Sequence, residues 1–70
     1  MSTVRIRFGK QLRQIRRVKD ITQEKLAEEI GVSAEFISNM ERGKAAPSFE
    51  TLEKLACVLE TDIQEFFKPL

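Results

Sequence analysis

The chain has 70 residues, of which 41% are hydrophobic and 33% charged, so it can form one small core and is not expected to be disordered. It contains no histidine and one cysteine, which excludes a Cys/His zinc site, a histidine-activated nucleophile and an internal disulfide. We therefore expect no metal, no cofactor and no enzymatic activity.

The formal net charge of +1 conceals an asymmetry along the chain. Residues 1–19 contain seven of the twelve basic residues and no acid, so the remaining five basic residues and all eleven acids give residues 20–70 a net charge of minus six. A one-sided basic charge is typical of a protein that binds a polyanion, although a solvated helix face would have the same composition. No apolar run approaches the roughly 18 residues that cross a bilayer, and residues 1–5 lack the apolar stretch of a signal peptide, so we expect a cytoplasmic protein.

Apolar spacing and polar caps predict the first two helices. Phe8, Leu12 and Ile15 recur every three or four residues, which places them on one helix face. A second helix begins after Thr22, whose hydroxyl can cap free backbone N–H groups. It ends at Gly31, because glycine readily adopts the left-handed conformation that follows many helices.

The same signals predict three further helices. A third helix lies between the cap Ser33 and Gly43, a fourth begins after Ser48, and Asp62 caps a short fifth. On the fourth helix, Cys57 has apolar neighbours and is expected to be a small buried residue. The sequence thus predicts a compact all-α, five-helix domain with no strand.

The connection between the second and third helices is too short for the two to lie side by side. They are expected to cross steeply and to pack closely at the small residue Ala27. Leu26, Ile37 and Met40 supply the apolar contacts that fix the crossing angle.

Three segments of this region resemble the helix-turn-helix of the Cro and phage-repressor type, also called the xenobiotic response element family. They are TQEKLA at 22–27, GVS at 31–33 and ISNMERGK at 37–44. The other predicted helices also fall where that family places them, so residues 1–70 are interpreted as one lambda-repressor-like domain with its helix-turn-helix at about 22–43. The resemblance implies sequence-specific binding of double-stranded DNA, with the third helix in the major groove.

If the apolar residues of the third helix point inward, helical geometry turns another set outward, toward the bases. Asn39 can pair with adenine, Glu35 can accept from cytosine, and the other two residues of the set can contact several bases. Glu35 is equally well explained as an acid that the helix dipole favours near the N-terminus. The predicted base contacts are Ala34, Glu35, Ser38 and Asn39.

A second set is predicted to contact the DNA backbone. Gln23 opens the second helix, where similar repressors bind a phosphate and where a helix N-terminus favours an anion. Phe36 can contact a thymine methyl, cover the backbone or rest on the domain surface. The full set is Gln23, Ser33, Phe36, Arg13, Arg17, Arg42 and Lys44.

The resemblance also implies a structural ion pair and a dimer. Arg16 and Glu41 match positions that form an ion pair between the first and third helices of similar repressors. The C-terminus contains more apolar surface than a small core readily absorbs, and similar repressors dimerise there, although the two phenylalanines could instead cap the core of the monomer. The predicted interface residues are Ile63, Phe66, Phe67 and Leu70.

The leading hypothesis is a transcriptional regulator that binds a palindromic operator as a homodimer, without a small-molecule ligand. The alternative is a protein-interaction module, such as an antitoxin or adaptor, with weak or no DNA binding, because a fold does not dictate a function.

Overall fold

The computed structural model describes residues 3–69, and within that range it contains helices and no strand. Its elements are α1 (Thr3–Val18), α2 (Gln23–Ile30), α3 (Ala34–Glu41), α4 (Phe49–Val58) and a C-terminal 3₁₀ helix (Ile63–Phe67). The predicted all-α class is confirmed, but the fifth element is not an α-helix. A segment of five residues with a proline two positions beyond it is too short for stable α-helical turns, and 3₁₀ geometry is common in such short segments.

Side-chain hydroxyl groups cap the N-termini of α2, α3 and α4, as predicted. The side-chain oxygens of Thr22, Ser33 and Ser48 accept hydrogen bonds from backbone N–H groups three residues further on, at 3.0, 3.0 and 3.1 Å. The prediction was wrong for Asp62, whose side chain makes no capping hydrogen bond. There the N–H of Glu65 is satisfied by the carbonyl oxygen of Asp62 at 3.0 Å.

Buried apolar side chains from every helix form one core. Each of α1 to α4 contributes residues of its predicted inward face to this core. The buried apolar residues are Phe8, Leu12, Leu26, Ala27, Ile30, Ile37, Met40, Leu52, Leu55, Leu59 and Phe66.

Helix α1 lies directly against the last turn of α3 at Gly9. A Cβ atom on Gly9 would lie 2.4 Å from the carbonyl oxygen of Met40 and 2.8 Å from that of Glu41. Both neighbours are backbone atoms that cannot move aside as a side chain would, so a residue without a side chain is needed here. This contact sets how closely α1 can support α3.

The C-terminal segment packs onto α1. The ring centroid of Phe66 lies 5.5 Å from that of Phe8. The ring of Phe67 stacks on the same Phe8 ring, with a centroid distance of 5.8 Å. The amide of Gln11 donates to the carbonyl oxygen of Lys68 at 2.8 Å. Phe66 is fully buried, so its assignment to a dimer interface was wrong: its ring completes the core of the monomer.

Cys57 is exposed rather than buried, because the inward positions of α4 are taken by Leu52 and Leu55. Among the described helices, none is long and apolar enough to span a bilayer.

We predict that Gly9→Ala lowers the free energy of unfolding by about 1 to 3 kcal/mol, because the new methyl group overlaps two carbonyl oxygens of α3. Helix propensity alone predicts the opposite sign, since alanine favours a helix by about 1 kcal/mol over glycine. Urea denaturation measures the change, with Lys10→Ala at the adjacent exposed position as the control. A stabilised Gly9→Ala protein would contradict the close contact.

Candidate nucleic-acid interface

The pair α2 and α3 is joined by a short turn that begins at Gly31. Gly31 has φ of 77°, and its N–H and that of Val32 both donate to the carbonyl oxygen of Ala27, at 2.9 and 3.0 Å. Ala27 on α2 is buried, and Ile37 is fully buried on the inward face of α3. The turn and these contacts determine which face of α3 remains outside.

The outward face of α3 contains the predicted base contacts, but they differ in exposure. Glu35 is exposed in the first turn, whereas Ser38 and Asn39 are half-buried. Ala34 and Phe36 are half-buried and pack against the core. The side chains of these two residues therefore already have a structural role, and only their outer surfaces can meet a ligand.

Three helices converge on the carboxylate of Glu41, the last residue of α3. Arg16 from α1 donates through Nε and Nη2 to Oε2 and Oε1, at 2.6 and 3.1 Å. Gln23 from α2 donates through Nε2 to Oε1 at 3.0 Å. Arg16 also donates to the carbonyl oxygen of Ile21 at 2.7 Å. The Arg16–Glu41 pair is buried, so its charges and hydrogen bonds are satisfied within the protein.

This network gives Gln23 a partner that the sequence did not indicate. One of its two amide hydrogens is directed to Glu41, which leaves the other and the carbonyl oxygen for a further partner. The bond holds the side chain at the N-terminus of α2, where free backbone N–H groups favour an anion.

A cleft of about 450 Å³ lies above this network, between α1 and the helix-turn-helix. It brings together residues that the sequence separates by up to 29 positions. The residues that line it are Arg13, Arg16, Arg17, Thr22, Gln23, Glu24, Ser38, Glu41 and Arg42. Since the carboxylate of Glu41 is paired with Arg16, the other charged groups that line the cleft are the guanidinium groups of Arg13, Arg17 and Arg42 and one carboxylate, that of Glu24.

Other predicted contact residues do not line this cleft. The hydroxyl of Ser33 is engaged in capping α3, and Lys44 is exposed in the loop beyond α3. Arg42, by contrast, does line the cleft, and it also donates to the side-chain oxygen of Asn39 at 2.7 Å.

The remaining predicted interface residues lie at the C-terminal end. Ile63 is 39% exposed and Phe67 is half-buried, while Leu70 lies outside the described residues. Phe67 also lines an apolar groove of about 260 Å³. Val4 and Phe49, which border this groove, are 52% and 88% exposed.

Sequence reasoning missed three features of the structure: the close contact at Gly9, the bond from Gln23 to Glu41 and the exposure of Phe49. Helical spacing gave no signal for the exposure of Phe49, because Phe49 stands three residues before Leu52, the same interval that separates Leu52 from Leu55.

Comparison with known proteins identifies the family. The family model described as helix-turn-helix matches residues 12–66. The control protein C.MunI from Mycoplasma sp is 34% identical over 71 aligned positions, which cover 100% of this chain and 96% of that protein. The chain therefore belongs to the helix-turn-helix family of DNA-binding regulators.

Two solved structures share the fold at similar identity. The restriction-modification controller protein C.AhdI from Aeromonas hydrophila superposes with a TM-score of 0.83 at 34% identity, over 89% of this chain and 94% of that chain. The P22 c2 repressor, solved in complex with a synthetic operator, superposes with a TM-score of 0.82 at 31% identity, over 87% and 92%. The chain also matches longer transcriptional regulators, of which it spans only 28 to 39%.

We predict that Glu41→Leu lowers the free energy of unfolding by about 3 to 5 kcal/mol, because it leaves the Arg16 guanidinium buried without a counter-charge. The double variant Arg16→Met with Glu41→Leu should recover most of that loss, since neither charge is then buried. Urea denaturation of the three proteins measures both effects.

Lys25→Met is the matched control for this experiment, because Lys25 forms exposed ion pairs with Glu28 and Glu29 at 3.4 and 3.8 Å. Such pairs contribute about 1 kcal/mol or less. A Glu41→Leu effect no larger than that of Lys25→Met would contradict a structural role for the buried pair.

Proposed function

We propose that this helix-turn-helix regulator binds a palindromic operator as a homodimer, with α3 of each copy in the major groove. The observation that carries the proposal is the basic cleft between α1, the N-terminus of α2 and α3. Similarity to the P22 c2 repressor, which was solved with a synthetic operator, supports the same use of this surface here. We place the protein in the cytoplasm, where such DNA is accessible.

The backbone phosphates are proposed to lie along the cleft. Arg13 and Arg17 project from α1, and Gln23 keeps one amide hydrogen free beside the N-terminus of α2. Charged donors and backbone N–H groups at a helix N-terminus are common phosphate ligands, and they position a protein on DNA without reading sequence. Arg42 and Lys44 extend the basic surface beyond the end of α3.

The bases are proposed to be read by the outward side chains of α3. Glu35, Ser38 and Asn39 offer carboxylate, hydroxyl and amide groups, which suit different base edges in the major groove. Ala34 and Phe36 pack against the core, so we assign them apolar contacts with thymine methyl groups or sugars at their outer surfaces.

The dimer is proposed to form through the C-terminal end. Ile63 and Phe67 are accessible there, and the adjoining apolar groove is bordered by the exposed Phe49. Exposed apolar residues beside a groove suit an interface with a second copy. A twofold dimer would place two α3 helices about 34 Å apart, one DNA turn.

The relatives favour one biological context. C.MunI and C.AhdI, each matched over most of its length, are control proteins, and the latter is named a restriction-modification controller. We propose a control protein of this kind. The alternative is a protein-interaction module on the same scaffold, and the first experiment must distinguish it from an operator-binding regulator.

We predict that selection from random duplex DNA at physiological salt enriches a palindromic sequence. Asn39→Ala should weaken binding to that sequence by about 1 to 3 kcal/mol, and affinity should fall steeply with added salt because bound cations are released from the DNA. Circular dichroism first establishes that the variant is folded. A folded wild-type protein that enriches no sequence would favour the protein-interaction module.

We predict that Ile63→Lys converts the dimer to a monomer and abolishes cooperative binding to the two half-sites, because it places a charge in an apolar interface. Sedimentation equilibrium and binding to one and two half-sites measure these effects. Val18→Lys is the control for the sedimentation measurement alone, since Val18 is 76% exposed at the opposite end of α1 from the groove residue Val4 but lies beside Arg13 and Arg17. An unchanged dimer in Ile63→Lys would place the interface elsewhere.

A further inference from the structure

Asn39 and Arg42 form a side-chain pair three residues apart at the end of α3. Arg42 Nη2 donates to Asn39 Oδ1 at 2.7 Å. A guanidinium group has only donors, whereas the amide of asparagine has an acceptor oxygen and a donor nitrogen. The oxygen of Asn39 must therefore face Arg42, and this chemistry determines which way the amide is turned.

The backbone beneath this pair is held by the hydrogen bonds that end α3. The N–H of Lys44 donates to the carbonyl oxygen of Asn39 at 2.8 Å, and the N–H of Gly43 donates to that of Met40 at 3.1 Å. Gly43 has φ of 76°, so these bonds form a Schellman motif. Both side chains thus project from fixed backbone positions, which favours one geometry for the pair.

The orientation of the amide decides which base edge Asn39 can read. Adenine N7, guanine N7 and O6, and thymine O4 are acceptors, whereas the amino groups of adenine and cytosine are donors. A freely turning amide could present either its oxygen or its nitrogen. With the oxygen bonded to Arg42, the two hydrogens of Nδ2 are available to a base acceptor, and the second lone pair of the oxygen still allows the paired contact with adenine.

We propose that Arg42 is a specificity-determining positioning residue, which holds the amide of Asn39 so that its NH₂ group is presented to a base acceptor. This inference rests on the proposed function, because it assigns Asn39 to the reading of a base. It gives Arg42 a role beyond that of a phosphate contact, since a phosphate contact alone carries no sequence information.

The test compares two variants that each remove one positive charge from the same end of α3. Arg42→Met removes the donor to Asn39, whereas Lys44→Ala keeps both that donor and the backbone N–H that ends the helix. Both residues are exposed, so both variants should fold, which circular dichroism checks. Binding is measured on the selected operator and on duplexes that carry each other base at the position where Asn39→Ala loses its preference.

We expect Arg42→Met to lose about tenfold or more of the discrimination at that one position, the range of a good side-chain contact to a base. Lys44→Ala should weaken all duplexes by a similar factor and leave the discrimination unchanged. Equal weakening of every duplex by Arg42→Met would overturn the inference, because that is the behaviour of a phosphate contact. Failure of the wild-type protein to select any DNA would instead overturn the proposed function, and the base-reading role with it.

Asn39→Asp is an independent variant, which presents a hydrogen-bond acceptor to the base in place of a donor. Its carboxylate can still accept from Arg42 but presents an oxygen where Asn39 presents NH₂. We expect the preference at that position to change to cytosine, which offers only an amino donor in the major groove. An Asn39→Asp protein that keeps the wild-type preference would overturn the inference.

The free protein supplies a readout that does not depend on DNA. Nitrogen-15 relaxation of the Asn39 side-chain amide should show a restricted NH₂ group in the wild type and in Lys44→Ala, and a mobile one in Arg42→Met. An amide equally ordered in all three proteins would show that Arg42 does not position it and would overturn the inference.

Discussion

The carboxylate of Glu41 is the interaction on which the arrangement of the helices depends. It ends α3 and accepts hydrogen bonds from Arg16 on α1 and Gln23 on α2, so one buried group joins three helices. Burying these charges is favourable only because each finds a partner. Gly9 lies against the carbonyl oxygens of Met40 and Glu41, so α1 packs closely on the same turn of α3 that Arg16 contacts. The last turn of α3 is thereby fixed on its inward side, while its outward face remains accessible to a ligand.

This arrangement separates structural side chains from those available to a ligand. Arg16 and Gln23 lie in the same cleft as Arg13 and Arg17, yet Arg16 is directed into the protein. The basic charge of α1 therefore has two uses: one guanidinium supports α3, and others face the cleft. The acids of the later part of the chain are distributed mostly over α2, α4 and the connections, so the net charge of +1 says little about the charge of this surface.

Most of the fold could be predicted from the sequence, because the hydroxyl caps and the spacing of apolar residues each imply a local structure. Contacts between distant segments could not. Gly9 has no signal in its own neighbourhood, since the atoms that require a glycine belong to α3. The apolar C-terminus could not be divided into core and surface by composition: Phe66 fills the core beside Phe8, whereas Ile63 stays accessible. Similarly, the outward direction of Asn39 followed from helical geometry, but its hydrogen bond to Arg42 could be seen only in the three-dimensional structure.

We propose that DNA binds to the surface held by Glu41, between α1 and the outward face of α3. Titration of the nitrogen-15-labelled protein with a selected duplex, followed by backbone amide NMR, tests it most directly. We expect the largest shifts at Gln23, Ser38 and Asn39, with small shifts in α4. The largest shifts around Phe49 and Phe67, with α3 unaffected, would contradict it.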